Sequence, residues 1–161
     1  MRVLVVFDTL YGNTERIAEA IGAGISPPDT VAVENIAEAP YPDPRLFDLL
    51  IVGGPTQHHG LSPALDAWLA RLGRRTLDGL PAAAFATRYR MSTLLSGSAA
   101  GGVAHGLNRA GCRLVVEPQS FFVERDRPPS GQQRHHDVER LEAGELERAT
   151  AWATKLVASL R

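Results

Sequence analysis

Val3-Leu4-Val5-Val6-Phe7 is an unbroken apolar run, and seven residues rich in hydrogen-bonding groups, Asp8 to Thr14, separate it from a helix-forming stretch. A continuous run of this kind suits a strand covered on both faces, as in a parallel sheet. Such a sheet requires helical crossovers, so the whole chain is constrained to alternate strand and helix. The connecting loop is Thr9-Leu10-Tyr11-Gly12-Asn13-Thr14, and Glu15 to Ile21 continues as helix. Hydroxyls, one glycine and one amide between a strand end and a helix start are suited to holding a phosphate. The helix start offers unpaired N–H groups and the positive end of its dipole. Gly12 lets the backbone turn inward without a Cβ in the way.

The alternation continues to the end of the chain. Arg2 to Asp8 reads as strand one, Thr14 to Gly24 as a helix with Ile17, Ile21 and Ile25 on one face, and Thr30 to Asn35 as strand two. Ala39 to Arg45 is a Pro-rich loop, with a short helical turn expected near Leu46. Leu49 to Gly53 is strand three. Ser62-Pro63 opens a helix, Ser as N-cap and Pro at the first position. Ala82 to Ala86 is strand four, and Ser98 to Ala110 a helix closed by Gly111. Arg113 to Val123 is strand five, interrupted near Pro118, and Arg125 to Asp137 a polar loop. Glu145 to Leu160 is the last helix, with Leu146, Ala149, Ala153, Leu156 and Leu160 on one face. These elements predict an α/β three-layer sandwich around a five-stranded parallel sheet, for which two topologies compete: the order 2-1-3-4-5 with a mononucleotide site, and a dinucleotide-binding order. The loop after strand one has a single Gly rather than Gly-x-Gly-x-x-Gly, so a mononucleotide suits it better than a dinucleotide.

With 161 residues, 44% of them apolar, one domain over residues 1–161 is expected, with ample core. A net charge of −1 argues against nucleic acid or a membrane surface as partner. The chain enters its first strand at once, which predicts no secretory leader, and Cys112 is the lone cysteine. A cytoplasmic protein is expected. His58-His59 and His135-His136 lack the supporting ligands of a metal site, so none is predicted. His105 reads as a surface residue, Cys112, Trp68 and Trp152 as packing residues, and Ser98 as a helix cap.

Ligands in such sheets sit beyond the carboxyl ends of the strands. Three loops leave those ends: Thr9 to Thr14, Gly54 to Gly60, and Thr87 to Ser92. The chain resembles the flavodoxin family of FMN-binding proteins. Thr9-Leu10-Tyr11-Gly12-Asn13-Thr14 is similar to the family's phosphate loop. Asp48 to Thr56 resembles its third strand and first flavin loop, and Phe85-Ala86-Thr87-Arg88 the start of its second. Ser96-Gly97-Ser98-Ala99-Ala100 and Gly144-Glu145-Leu146-Glu147-Arg148-Ala149 are similar to segments of bacterial single-domain members.

The resemblance implies an FMN cofactor, with Thr9, Leu10, Tyr11, Gly12, Asn13 and Thr14 around its phosphate. Pro55, Thr56, Gln57, His58, His59, Gly60, Thr87, Arg88, Tyr89 and Met91 would line its ring, Tyr89 or His58 stacking on it. It also implies redox partner proteins, a reductase and an acceptor, with the chain a monomer or weak dimer and no side chain acting as acid or base. Gln57, His58 and His59 stand where many members carry a Trp. Arg88, Arg90, His58 and His59, with no acid among them, predict a less negative reduction potential than in acidic members. One Arg about 6 Å from a reduced anionic ring, at an effective dielectric near 20, contributes about 3 kcal/mol. Two other readings compete. One is an FMN-dependent NAD(P)H:quinone-type reductase, which purified protein would reveal by oxidising NAD(P)H. The other is a cofactor-free interaction module, which would be colourless.

Overall fold

The computed structural model describes residues 1–38, 43, 45–90, 98–125 and 139–161. Strands β1 (Arg2–Phe7), β2 (Thr30–Asn35), β3 (Leu49–Pro55), β4 (Pro81–Tyr89), β5 (Arg113–Leu114), β6 (Gln119–Arg125) and β7 (Glu139–Leu141) share one sheet. Helices α1 (Asn13–Ala23), α2 (Pro63–Arg71), α3 (Ala99–Ala110) and α4 (Glu145–Ala158) cover its faces. The strand order is β2-β1-β3-β4-β6-β7, with β5 also on β4. All pairings are parallel except β6 with β7, which is antiparallel.

The expected order 2-1-3-4-5 is present, the fifth position being shared by β5 and β6. Pairing with β4 lapses between Ala82↔Leu114 and Phe85↔Gln119, where Pro118 has no N–H to give. β7 is an addition that the sequence reading did not contain. Among the other expectations, β4 runs three residues further than Ala86, so Thr87, Arg88 and Tyr89 are strand and not loop. At Leu46 there is a hydrogen-bonded turn to Asp43 rather than a helical turn. The polar loop expected from Arg125 to Asp137 lies outside the described residues except for Arg125, which ends β6.

Side chains alternate across the pleat, so β1 feeds two cores at once. Leu4 and Val6 pack with Leu65, Trp68 and Leu69 of α2 and with Val103 and Leu107 of α3. Val3, Val5 and Phe7 pack with Ile17 and Ile21 of α1 and with Ala149, Ala153 and Leu156 of α4. Phe85, Phe121 and Trp152 meet edge to face, at centroid separations of 6.3 and 6.1 Å. Trp68 and Cys112 are buried and His105 is exposed, as their positions predict. Burial pushes the Cys112 thiol up to about 11.

Candidate functional site

The carboxyl ends of β1, β3 and β4 open into a cleft of about 240 Å³. Leu10, Tyr11, Asn13 and Thr14 supply one wall, Pro55, Thr56, Gln57 and His58 another, and Thr87 and Glu139 the rest. The strand order places this cleft where β1 and β3 diverge in connection, the usual ligand crevice of an open α/β sheet.

The phosphate-loop residues are built around Gly12. Its φ of +83° lies in the left-handed region, where a side chain is strained. Gly12 is the N-cap of α1, and no side chain caps that helix. The main-chain N–H groups of Asn13, Thr14 and Glu15 therefore have no partner among the described residues. Thr9 Oγ1 accepts from the Gly12 N–H at 3.0 Å and sets the turn. Asn13 and Thr14 are buried, while Leu10 and Tyr11 are 57% and 60% exposed at the rim.

Hydroxyl bookkeeping defines what the cleft offers. Thr14 Oγ1 and Thr87 Oγ1 lie 2.7 Å apart, so one donates to the other and one proton is left over. Thr56 Oγ1 accepts from Ala99 N–H at 3.1 Å, which leaves its own proton to donate. Among the described residues the donors are hydroxyls, main-chain N–H groups and the side chains of Asn13, Gln57 and His58, with no Lys or Arg in the lining. That chemistry fits the phosphate of a monoester held at a helix start, so the residues present are compatible with the phosphate of an FMN-type ligand.

The loop after β3 is a two-residue hairpin. Gln57 and Gly60 exchange main-chain hydrogen bonds at 2.9 and 2.8 Å, with His58 and His59 at φ +44° and +72°. Gly53 and Gly54 precede it for steric reasons. A Cβ on Gly53 would lie 2.4 Å from the Phe85 ring, and one on Gly54 2.5 Å from Leu65.

Of the sixteen residues expected to contact the cofactor, nine line the cleft: Leu10, Tyr11, Asn13, Thr14, Pro55, Thr56, Gln57, His58 and Thr87. Thr9 and Gly12 shape the loop from behind, and His59 and Gly60 close the hairpin. Met91 lies outside the described residues. Arg88 turns away from the cleft: it donates to Ser120 Oγ at 3.2 Å and lies 5.3 Å from the Phe122 ring centroid. Arg90 pairs with Glu142 and lies 4.0 Å from the same ring. No arginine lines the cleft among the described residues, and Glu139 does. Of the four residues behind the expected less negative potential, His58 lines the cleft, while strand alternation sends Arg88 to the opposite face from Thr87 and Tyr89.

Glu139 is the residue that sequence reasoning missed. Its carbonyl accepts from Asn13 Nδ2 at 3.0 Å, and its carboxylate accepts from the Tyr89 hydroxyl at 2.5 Å. Burial, then that carboxylate, raises the Tyr89 phenol above its ordinary value. The Arg125 guanidinium also approaches the Tyr89 ring, at 5.7 Å. A three-residue strand carrying Glu-Arg-Leu gives no periodic signal from which this placement could be read.

The family model for flavodoxin matches residues 5–118. The chain belongs to the flavodoxin family. A flavodoxin from a Picosynechococcus strain is 39% identical over 59 residues, 37% of this chain and 35% of that protein's length. The chain thus matches only about a third of that curated relative. A flavodoxin from the domain Archaea superposes with a TM-score of 0.73 over 99% of both chains at 20% identity. Oxidised flavodoxin 1 of Bacillus cereus gives 0.74 over the full length of both at 18%. A Giardia intestinalis flavodiiron protein gives 0.68 over 96% of this chain and 35% of its own, at 20%. These likenesses establish the flavodoxin fold. Among the described residues, no helix is long and apolar enough to cross a membrane, and no His, Cys, Asp or Glu cluster could hold a metal.

Proposed function

We propose that this flavodoxin-family chain binds FMN non-covalently in the cleft and carries electrons between a reductase and an acceptor protein. The observation that carries the reading is the uncapped start of α1, opening into a hydroxyl-lined cleft with no Lys or Arg among its described lining residues. Asn13, Thr14 and Glu15 present main-chain N–H groups to the phosphate, and Thr14 or Thr87 adds a hydroxyl. Thr56 donates from the facing wall, and Pro55, Gln57 and His58 form the side against which a flat ring rests. Bound FMN supplies the one- and two-electron chemistry, while the protein binds and orients it. Asn13 gives one of its two amide protons to the Glu139 carbonyl, so its main-chain N–H and its second amide proton are the donors left for the anion.

The test is flavin titration of purified protein. FMN is expected to bind with a yellow absorbance band and to outcompete riboflavin, which lacks the phosphate. Thr14→Ala removes a hydroxyl bond to a charged group and is expected to weaken FMN about tenfold or more. Its effect on riboflavin is expected to be smaller. The protein alone is expected not to turn over NAD(P)H with a quinone, but to do so with a reductase present. Equal affinity for FMN and riboflavin would overturn the phosphate assignment, and turnover without a partner would replace the shuttle by a reductase.

A further inference from the structure

We propose that Glu139 is a ligand-contacting residue of the cleft, its carboxylate accepting from hydroxyl groups on the chain that links phosphate to ring. The inference rests on the FMN reading and adds to it a residue outside the three loops at the strand ends.

Three observations carry it. Glu139 lines the cleft beside Asn13, Thr14 and Thr87. Its main chain is fixed on two sides, by the antiparallel pairing Arg125↔Glu139 and by the amide of Asn13. Its side chain is oriented as well, because Tyr89 donates to Oε1. Oε2 takes no hydrogen bond among the described residues and is not a buried orphan. One carboxylate oxygen is thus occupied and aimed, and the other is available to the cleft.

A carboxylate beside an anion site is unfavourable for the anion taken alone. It becomes favourable for a phosphomonoester that also carries hydroxyls, since a carboxylate is a pure acceptor and a hydroxyl a ready donor. The cleft's other side chains supply the complement: the Thr14–Thr87 pair has one proton to give and Thr56 another. Glu139 therefore selects a polyol phosphate over a bare phosphate. The same tie through Asn13 couples β7 to the phosphate loop, so the strand outside the parallel sheet becomes part of the binding site.

The experiment uses Glu139→Gln, which keeps an oxygen for Tyr89 and replaces the free acceptor by a donor. Binding of FMN, riboflavin and inorganic phosphate is measured for wild type and variant, with inorganic phosphate read as a competitor of FMN. The expected result is a loss of about tenfold for FMN and riboflavin alike, with inorganic phosphate unchanged or tighter. Tyr89→Phe, which leaves the carboxylate in place but unaimed, is expected to give a smaller loss for both flavins. Tighter FMN and phosphate with unchanged riboflavin would make Glu139 a source of repulsion only, and overturn the proposal while leaving the FMN reading intact. Unchanged affinity for all three would overturn it too. Wild-type protein that takes up neither flavin overturns the FMN reading and this assignment together. Matching thermal melts of the variants and wild type establish that binding, not folding, is being read.

Discussion

His58 and His59 both occupy left-handed backbone in a two-residue hairpin, a conformation that Asn-Gly adopts more readily because glycine has no Cβ. The strain sits at the cleft wall, where His58 contributes lining and His59 does not. Replacing only the non-lining residue separates the two effects. His59→Gly is expected to stabilise the fold by about 1 kcal/mol, through relief of the left-handed penalty, and to leave FMN affinity within a factor of two or so. A urea titration beside a flavin titration measures both. Thr14 is a contrasting residue: 1% exposed, hydroxyl to hydroxyl with Thr87, and legible from the sequence as part of the loop. The loop's residue types announce anion chemistry because the groups lie close together along the chain. The aim of Arg88 depends on how far β4 extends, which Phe85-Ala86-Thr87-Arg88 does not reveal.

At the level of the element, β6 shows how an incompletely paired edge is finished. Its first residues pair with β4, but β7 covers only Val123 to Arg125. The segment from Glu142 to Arg148 satisfies the remaining edge groups. Glu142 N–H donates to the Phe122 carbonyl, Phe122 N–H to Glu145 Oε2 at 2.7 Å, and Arg148 to the Ser120 carbonyl at 2.6 Å. Glu145 is 4% exposed and also pairs with Arg148. The stretch Gly144 to Ala149, noticed in the sequence for its likeness to other family members, thus caps a sheet edge. Glu145→Ala would leave the Phe122 N–H without its acceptor and Arg148 without its carboxylate partner. A loss of about 1.5–3 kcal/mol is expected, seen as a lower urea midpoint. Glu145→Gln is expected to recover part of it by keeping an acceptor for Phe122.

For the whole molecule, one close contact locks the two helices on one face of the sheet together. α1 and α4 meet at Gly24, where a Cβ would lie 2.4 Å from the Thr150 carbonyl, and Thr150 and Thr154 donate to the carbonyls of Ala20 and Gly24. Two carboxylates, Asp29 buried and Asp48 exposed, tie distant parts of the chain. Asp29 accepts from the Met1 ammonium and the Arg161 guanidinium, and these, in that order, hold its carboxyl below the usual range. The Arg2 main-chain N–H, then its guanidinium, lowers Asp48 in the same way. A depressed folded-state value means that the unfolded chain binds more protons in that window, so stability rises with pH there. The contribution is complete above the unfolded carboxylate value of about 4 and is lost as pH falls through the folded values. Urea midpoints at pH 5, 4 and 3 are expected to decline, and Asp29→Asn is expected to be less stable at pH 5 with a shallower decline.

The sequence by itself determined the alternation of strand and helix, the helix cap at Ser62 and the one within Ser96-Gly97-Ser98, and the polar turn from Thr9 to Thr14 between β1 and α1. Each is encoded in residues that lie within a few positions of one another, where periodicity, turn chemistry and capping act locally. Only the tertiary structure decided that β4 continues through Tyr89, that Arg88 faces Phe122, and that Glu139 lines the cleft. Those outcomes depend on pairing across 126 residues between Asn13 and Glu139 and 50 between Tyr89 and Glu139. A three-residue strand has no propensity strong enough to predict such pairing. It forms because β6 offers an open edge, and because two side chains from the parallel sheet's carboxyl end are placed to hold it.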